Sequence, residues 1–308
     1  MDYSIVITGK EDLTNTVKQI YINKNTNNNY YNIVLDFSKC DFARPSSLVI
    51  VAAHILCLQK QSRVNNIQFI ESRKQEVNDY ISRMDFLKLL GIPFSESFTR
   101  HDNTGRFVTI KQFSNEAELV NLINDIFYIL HKSYPVQYCQ IVEFSLTEIM
   151  DNVLVHSDSL IDGLLVMQDF PNSETIEFCL VDCGIGIKES LKNNTAYKNI
   201  TNKKALEIAI QKNISSCQSE RYRGNGLYLT PQLVTEIEGQ FILYSHNNIL
   251  TKTKRDCKIE NSPYWPGTII KLNFWKHYND DYDSVIDKVF DGKRTLTFIN
   301  DDVDEVLW

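Results

Sequence analysis

The chain has 308 residues, 43% of them hydrophobic and 23% charged, with a formal net charge of −7 at pH 7. This is ordinary globular composition at about twice the usual length of one domain, so two domains are expected and a disordered or fibrous chain is excluded. A net negative chain also lacks the general electrostatic footprint of a nucleic-acid binder.

The longest apolar stretch, Ser47 to Leu58, contains His54 and is shorter than the roughly 20 residues of a bilayer span. The opening Met-Asp-Tyr-Ser-Ile has neither the basic region nor the apolar core of a secretory signal. Seven cysteines without a Cys-x-x-Cys pair read as reduced thiols rather than a disulfide frame or a zinc site. The expectation is a cytoplasmic protein with no membrane partner.

In chain order, Tyr3 to Thr8 reads as a strand and Asp12 to Tyr21 as a helix, followed by an Asn-rich turn from Asn23 to Asn29. Tyr31 to Phe37 suits a strand buried on both faces. Ser46 or Ser47 is expected to cap an apolar helix running to about Gln61. Ile67 to Ile70 reads as a strand, and Gln75 to Leu90 as a helix stopped by Gly91 and Pro93. This alternation predicts an α/β unit. Periodicity lapses over 94–114, apart from a strand at Phe107 to Ile110.

Helices are then predicted at Glu116 to His131 and Val136 to His156, and strands at Leu164 to Asp169 and Ile176 to Val181. After a polar, Gly-punctuated region come helices at Lys203 to Lys212 and Leu229 to Glu238. Strands at Gln240 to Ser245 and Thr268 to Phe274 close the second unit. Asp280 to Trp308 carries nine acidic and three basic residues. It reads as a solvated terminus or as a docking segment, since Val285, Ile286, Val289 and Phe290 share one helical face.

Glycine is scarce, 11 residues in all, yet four of them form two Gly-x-Gly units, Gly184-Ile-Gly186 and Gly224-Asn-Gly226. Gly184 follows an apolar strand ending at Asp182, and Gly226 opens a helix. A glycine turn before a helix exposes free N–H groups and a positive dipole end, which suits phosphate. Neither a phosphate loop of the Gly-x-x-x-x-Gly-Lys-Ser/Thr type nor a dinucleotide fingerprint is present.

In the predicted helix, Glu148, Asn152 and His156 rise along one face, while Leu146, Ile149, Val153 and Met150 point to the core. An amide oxygen suits magnesium, and a carboxylate can orient or deprotonate water. A solvated polar helix face is the plainer alternative from this helix alone.

Read together, Glu-x-x-x-Asn, Asp-x-Gly-x-Gly, Gly-x-Gly-Leu and Gly-Thr occur in the order seen in one known superfamily. Over roughly residues 115 to 276 the chain resembles the GHKL superfamily of ATP-binding domains, named for gyrase, heat-shock chaperone, histidine kinase and mismatch-repair ATPase. The resemblance implies that Glu148 is the general base and Asn152 the magnesium ligand. It implies that Asp182 accepts from the adenine amino group, with Thr268 beside it and Gly184 and Gly186 passing close to the base. Gly224, Asn225, Gly226 and Leu227 would line the triphosphate, and Lys188 to Tyr222 would form a variable lid. Arg221, Arg223 and Lys188 could meet phosphate charge or be plain surface cations.

His156 resembles the histidine that follows the Asn in anti-sigma-factor kinases, here with Val153 in place of an alanine, and a supporting role is expected of it. No phosphoacceptor box surrounds His131, and Cys183 reads as a small filler.

The first unit, through Val34-Leu-Asp-Phe-Ser-Lys-Cys-Asp-Phe and Pro45-Ser-Ser-Leu, resembles a STAS domain. The usual Asp-Ser-Ser-Gly run is replaced by Arg44-Pro45-Ser46-Ser47, which sets helix capping against phosphorylation of a serine.

The expected fold is therefore α/β (α+β): a STAS-like mixed sheet with helices over 1–95, a junction over 96–114, a GHKL two-layer α/β sandwich over 115–277, and an acidic tail over 278–308. The expected function is a regulatory ATPase using ATP and magnesium. Its protein partner would bind through the STAS-like domain or the tail, and a homodimer is a further expectation. A serine kinase of the anti-sigma type and a non-hydrolysing nucleotide-gated module are the alternatives.

Overall fold

The computed structural model describes residues 2–20, 30–96, 98–100, 106–212, 214, 226–276 and 282–290. The Asn-rich turn, Gly224, Asn225, Arg221, Arg223 and the end of the acidic tail lie outside the described residues.

The first unit holds β1 (Asp2–Val6), α1 (Leu13–Gln19), β2 (Tyr31–Asp36), α2 (Pro45–Lys60), β3 (Val64–Ile70), α3 (Gln75–Arg83) and α4 (Phe86–Leu89). Its strands form a parallel sheet in the order β1-β2-β3, because a helix crosses over between each consecutive pair. Ile5, Ile33 and Leu35 are buried on one face, while Asp2, Ser4, Asn32, Asn66 and Gln68 leave the other open to solvent.

Asp12 caps α1 by accepting from the Asn15 amide at 2.7 Å. The expected serine cap of α2 is corrected. The helix begins at Pro45, after Arg44 in extended conformation, and no side chain caps it. Proline fits the first helical position because its ring fixes φ and no N–H there needs a partner. Ser46 and Ser47 are instead buried, and the Ser47 hydroxyl meets that of Thr16 at 3.0 Å. The single helix expected over Gln75 to Leu90 is broken at Asp85, whose φ of 60° ends α3 and starts α4. Arg100 holds that break, donating to Asp85 Oδ1 at 2.8 Å and to the Ser82 carbonyl at 3.0 Å.

The second unit holds β4 (Phe107–Phe113), α5 (Glu116–His131), α6 (Val136–His156), β5 (Gly163–Phe170), β6 (Thr175–Asp182), α7 (Gly186–Leu191), α8 (Asn202–Ala209), α9 (Gly226–Glu236), β7 (Gln240–Lys252), β8 (Cys257–Trp275) and α10 (Tyr282–Phe290). Its sheet is antiparallel in the order β4-β5-β6-β8-β7.

Alternate residues of the central strands serve two cores. Leu165, Met167, Phe178 and Leu180 pack under α5, α6 and α9. Leu164, Val166, Cys179 and Val181 share a core with α2 and the parallel sheet. Helix α2 is apolar all round because it lies between two sheets. The layers thus run parallel sheet, α1 and α2, antiparallel sheet, then α5, α6 and α9.

Helix α10 docks on α6 and α9. Val285 and Phe290 are buried, and Phe290 meets Phe144 edge to face at 5.3 Å between ring centroids. The start of the acidic segment is therefore a docking helix. Among the described residues no helix is long and apolar enough to cross a membrane.

Candidate functional site

Helix α6 runs from Val136 to His156, the range the sequence predicts, entered through Pro135. Leu146, Ile149, Met150 and Val153 are buried, which leaves Glu148, Asn152 and His156 half-buried on the other face. Asn152 Nδ2 donates to the Glu148 carbonyl at 2.6 Å, so its amide oxygen is turned away from the helix backbone. Burial lowers the His156 pKa, favouring the neutral ring. Asp151, beside this row, has a raised pKa because of burial and then the charge of Glu116.

At the end of β6, Asp182 is 2% exposed. Its Oδ1 accepts from the Gly184 amide at 2.8 Å, and the Thr268 amide and hydroxyl donate to the same carboxyl. Burial outweighs these three bonds, and the pKa is raised to about 6. The Trp265 indole N–H donates to the Asp182 carbonyl at 2.9 Å. Gly267 is forced to be glycine: a Cβ there would collide with the Asp182 carboxylate, the Asp182 carbonyl and the Gly184 nitrogen. The pairing of β6 with β8 thus brings the Asp182–Gly184 turn against the Gly267-Thr268 step, which lies far away in the chain.

Gly186 has φ +71°, and a Cβ on it would lie 2.7 Å from both Ser245 Oγ and the His246 ring. Gly184 would run into the Ser157 carbonyl. At both positions the need for glycine is set by contacts within the protein.

Serines stitch the motifs together. The Ile185 amide donates to the Ser157 carbonyl at 2.7 Å, and the Cys183 amide to Ser159 Oγ at 3.2 Å. The end of the Glu148 helix is thereby fastened to the Asp182 turn. Ser245 Oγ accepts from the Ile187 amide at 3.1 Å and donates to the Gly267 carbonyl at 2.9 Å. Ser157, Ser159, Ser245 and Trp265 were not foreseen from sequence. The one signal for them is their position at or within a few residues of a predicted helix or strand end.

Helix α9 begins at Gly226, three residues before the predicted Leu229, and packs beside α6. Leu227 lies in its first turn and is half-buried. Gly224 and Asn225 fall outside the described residues, as do 213 and 215–222 at the end of the expected lid, while α7, a short 3-10 turn at Thr195–Tyr197 and α8 occupy its first part.

The donor set suits a hard cation poorly on carboxylates alone. Among the described residues no group of three or more His, Cys, Asp or Glu side chains could hold a metal ion. A magnesium ion bound by one amide oxygen, with phosphate and water completing its shell, needs no such group. No protein-family model matches the chain, and no curated protein matches it.

Proposed function

We propose that the chain is a regulatory ATPase of the GHKL kind, whose nucleotide state controls contacts with a protein partner. What supports this reading most is the convergence of two separate motifs, Asp-x-Gly-x-Gly and Gly-Thr, on one buried carboxylate, Asp182, with Gly184, Gly267 and Thr268 around it. A buried, hydrogen-bonded carboxylate at a strand end is costly to fold, and recognition of an adenine amino group gives it a purpose. Asp182 accepts that hydrogen bond, and the Thr268 hydroxyl helps fix the carboxylate.

On α6, Glu148 takes the proton of the attacking water. Asn152 would hold magnesium through its amide oxygen, and the ion would supply charge neutralisation at the phosphates. The amides of Gly226 and Leu227, in the first turn of α9, would donate to phosphate. By the resemblance, Gly224 and Asn225 extend this line.

A protein serine kinase is the second reading, favoured by the Glu-x-x-x-Asn-x-x-x-His order on α6. Glu148 would then deprotonate a serine hydroxyl on another protein. Ser46 and Ser47 are poor acceptors because both are buried and Ser47 is engaged with Thr16.

The test is incubation of the purified protein with magnesium and γ-labelled ATP, following released phosphate and protein-bound label beside Glu148→Ala. Phosphate release that the variant loses supports the ATPase. Label on a serine of an added partner moves the assignment to the kinase. ATP binding without either product leaves a nucleotide-gated module, and absence of ATP binding overturns the whole reading.

A further inference from the structure

Cys183 lies inside the Asp182-Cys183-Gly184 turn and faces α2 of the first unit. Its thiol donates to the Ala53 carbonyl at 3.5 Å. Ala53 is one helical turn before Cys57 on the same face, and the Cys57 and Cys183 thiols are within hydrogen-bonding reach of each other. Cys183 is 7% exposed, whereas Cys57 is half-buried. Gln61 Nε2 donates toward Cys57 Sγ at 3.6 Å. Both cysteines are free thiols, one from each unit, and the core between the two sheets holds them in register.

We propose that Cys57 and Cys183 form a peroxide-sensitive dithiol that closes to a disulfide between the parallel-sheet unit and the Asp182 turn.

The chemical asymmetry of the pair sets the order of events. The Cys57 pKa is lowered, chiefly by the Cys183 thiol and further by the charge of Arg63. Cys183 is pushed the other way by burial and by Cys57 itself. Cys57 is thus both the more accessible sulfur and the better thiolate.

Its thiolate attacks one oxygen of hydrogen peroxide and breaks the O–O bond. That leaves a sulfenic acid on Cys57, while the departing hydroxide takes up a proton as water. The Cys183 sulfur then attacks the Cys57 sulfur, the S–OH bond breaks, and hydroxide leaves with the Cys183 proton as a second water. Two thiols lose two electrons, and one peroxide becomes two waters. The product joins α2 directly to the residue after Asp182.

The experiment uses the reduced full-length chain, titrated with hydrogen peroxide, alkylated under denaturing conditions and mapped by peptide mass. The expected result is a dominant Cys57–Cys183 cross-linked peptide, removed by dithiothreitol and accompanied by the loss of two alkylatable thiols. In Cys183→Ser, Cys57 should instead accumulate as a sulfenic acid that dimedone traps. The wild-type map does not depend on that variant folding. The proposal is overturned if oxidised wild-type protein keeps Cys183 alkylatable, or if the main link joins other cysteines such as the exposed Cys257. No nucleotide is used, so the result stands or falls separately from the ATPase reading.

Discussion

The two ends of the candidate site are built on opposite principles. Around Asp182 everything is dry and over-determined: a carboxylate 2% exposed, three donors on it, and a glycine that no other residue can replace. Along α6 the corresponding groups, Glu148 and Asn152, stand half-buried on the face opposite the buried Leu146, Ile149, Met150 and Val153. Substitutions at the first end should therefore act through folding and recognition together. At the second end they should act on chemistry and leave the fold intact. A protein in which both ends behaved alike would break this division.

The largest effect is expected at Gly267. A Cβ there meets backbone on two sides and the fixed Asp182 carboxylate on a third, so no flexible side chain can give way. Gly267→Ala should cost on the order of 3 kcal/mol or more, seen as a lower melting temperature or loss of soluble protein. Gly91→Ala is the contrast: Gly91 has a positive φ, +71°, which Gly267 lacks, but it faces open space. It should cost only about 1 kcal/mol, the backbone strain alone. Equal losses at the two glycines would remove the claim that the Asp182 end is sterically locked.

Glu148→Ala sharpens the other half of the comparison. Loss of a general base should lower ATP hydrolysis by about 10²–10⁴-fold. ATP affinity should stay near that of the wild type, and thermal stability should change by no more than about 1 kcal/mol. A variant that lost binding as well as turnover would show that Glu148 supports the site structurally.

The Asp182 pKa of about 6, raised above its usual value of 3.8 by burial, gives opposite pH trends for stability and binding. The folded state holds the proton more tightly than the unfolded chain. This group therefore favours folding most at acid pH, and that advantage is lost as pH rises from about 4 through 6. A shift of this size corresponds to roughly 3 kcal/mol. In Asp182→Asn the pH dependence over that window should flatten, which denaturant titrations at pH 4, 5, 6 and 7 would measure. Adenine recognition needs the ionised carboxylate, so wild-type ATP affinity should fall as pH drops below about 6 while stability from this group rises. If affinity and stability moved in the same direction, another group would control binding.

The same division explains what could be read from sequence. Asp182, Gly184 and Thr268 were legible because each belongs to a short pattern at a strand end. The bounds of α5 and α6 were legible because Asn115 caps one and Pro135 precedes the other. The outer hairpin of β7 and β8 was not. Beyond Ser245 it carries Asn247, Asn248, Lys258, Glu260 and Asn261, and apolar alternation stops although cross-strand pairing continues. The break at Asp85 was hidden because apolar spacing runs through it unchanged. Ser157, Ser245 and Trp265 act through long-range backbone contacts, which no local pattern encodes. Helix α2 was read as apolar, but its two-sided burial depends on a sheet formed more than a hundred residues later.

The smallest effect is expected at Thr268, where the two roles of the dry end can be separated. Its amide and its hydroxyl both donate to Asp182, so Thr268→Val removes one donor and keeps the shape and the other bond. The loss should be about 1–2 kcal/mol, the range for one hydrogen bond to a buried group. With a donor gone, the carboxylate becomes harder to ionise, and the pH below which ATP affinity falls should move upward. Thr268→Ser keeps the hydroxyl and should restore that pH midpoint while still losing the packing of the methyl group. A midpoint that followed the methyl group rather than the hydroxyl would mean that burial alone sets the charge state of Asp182.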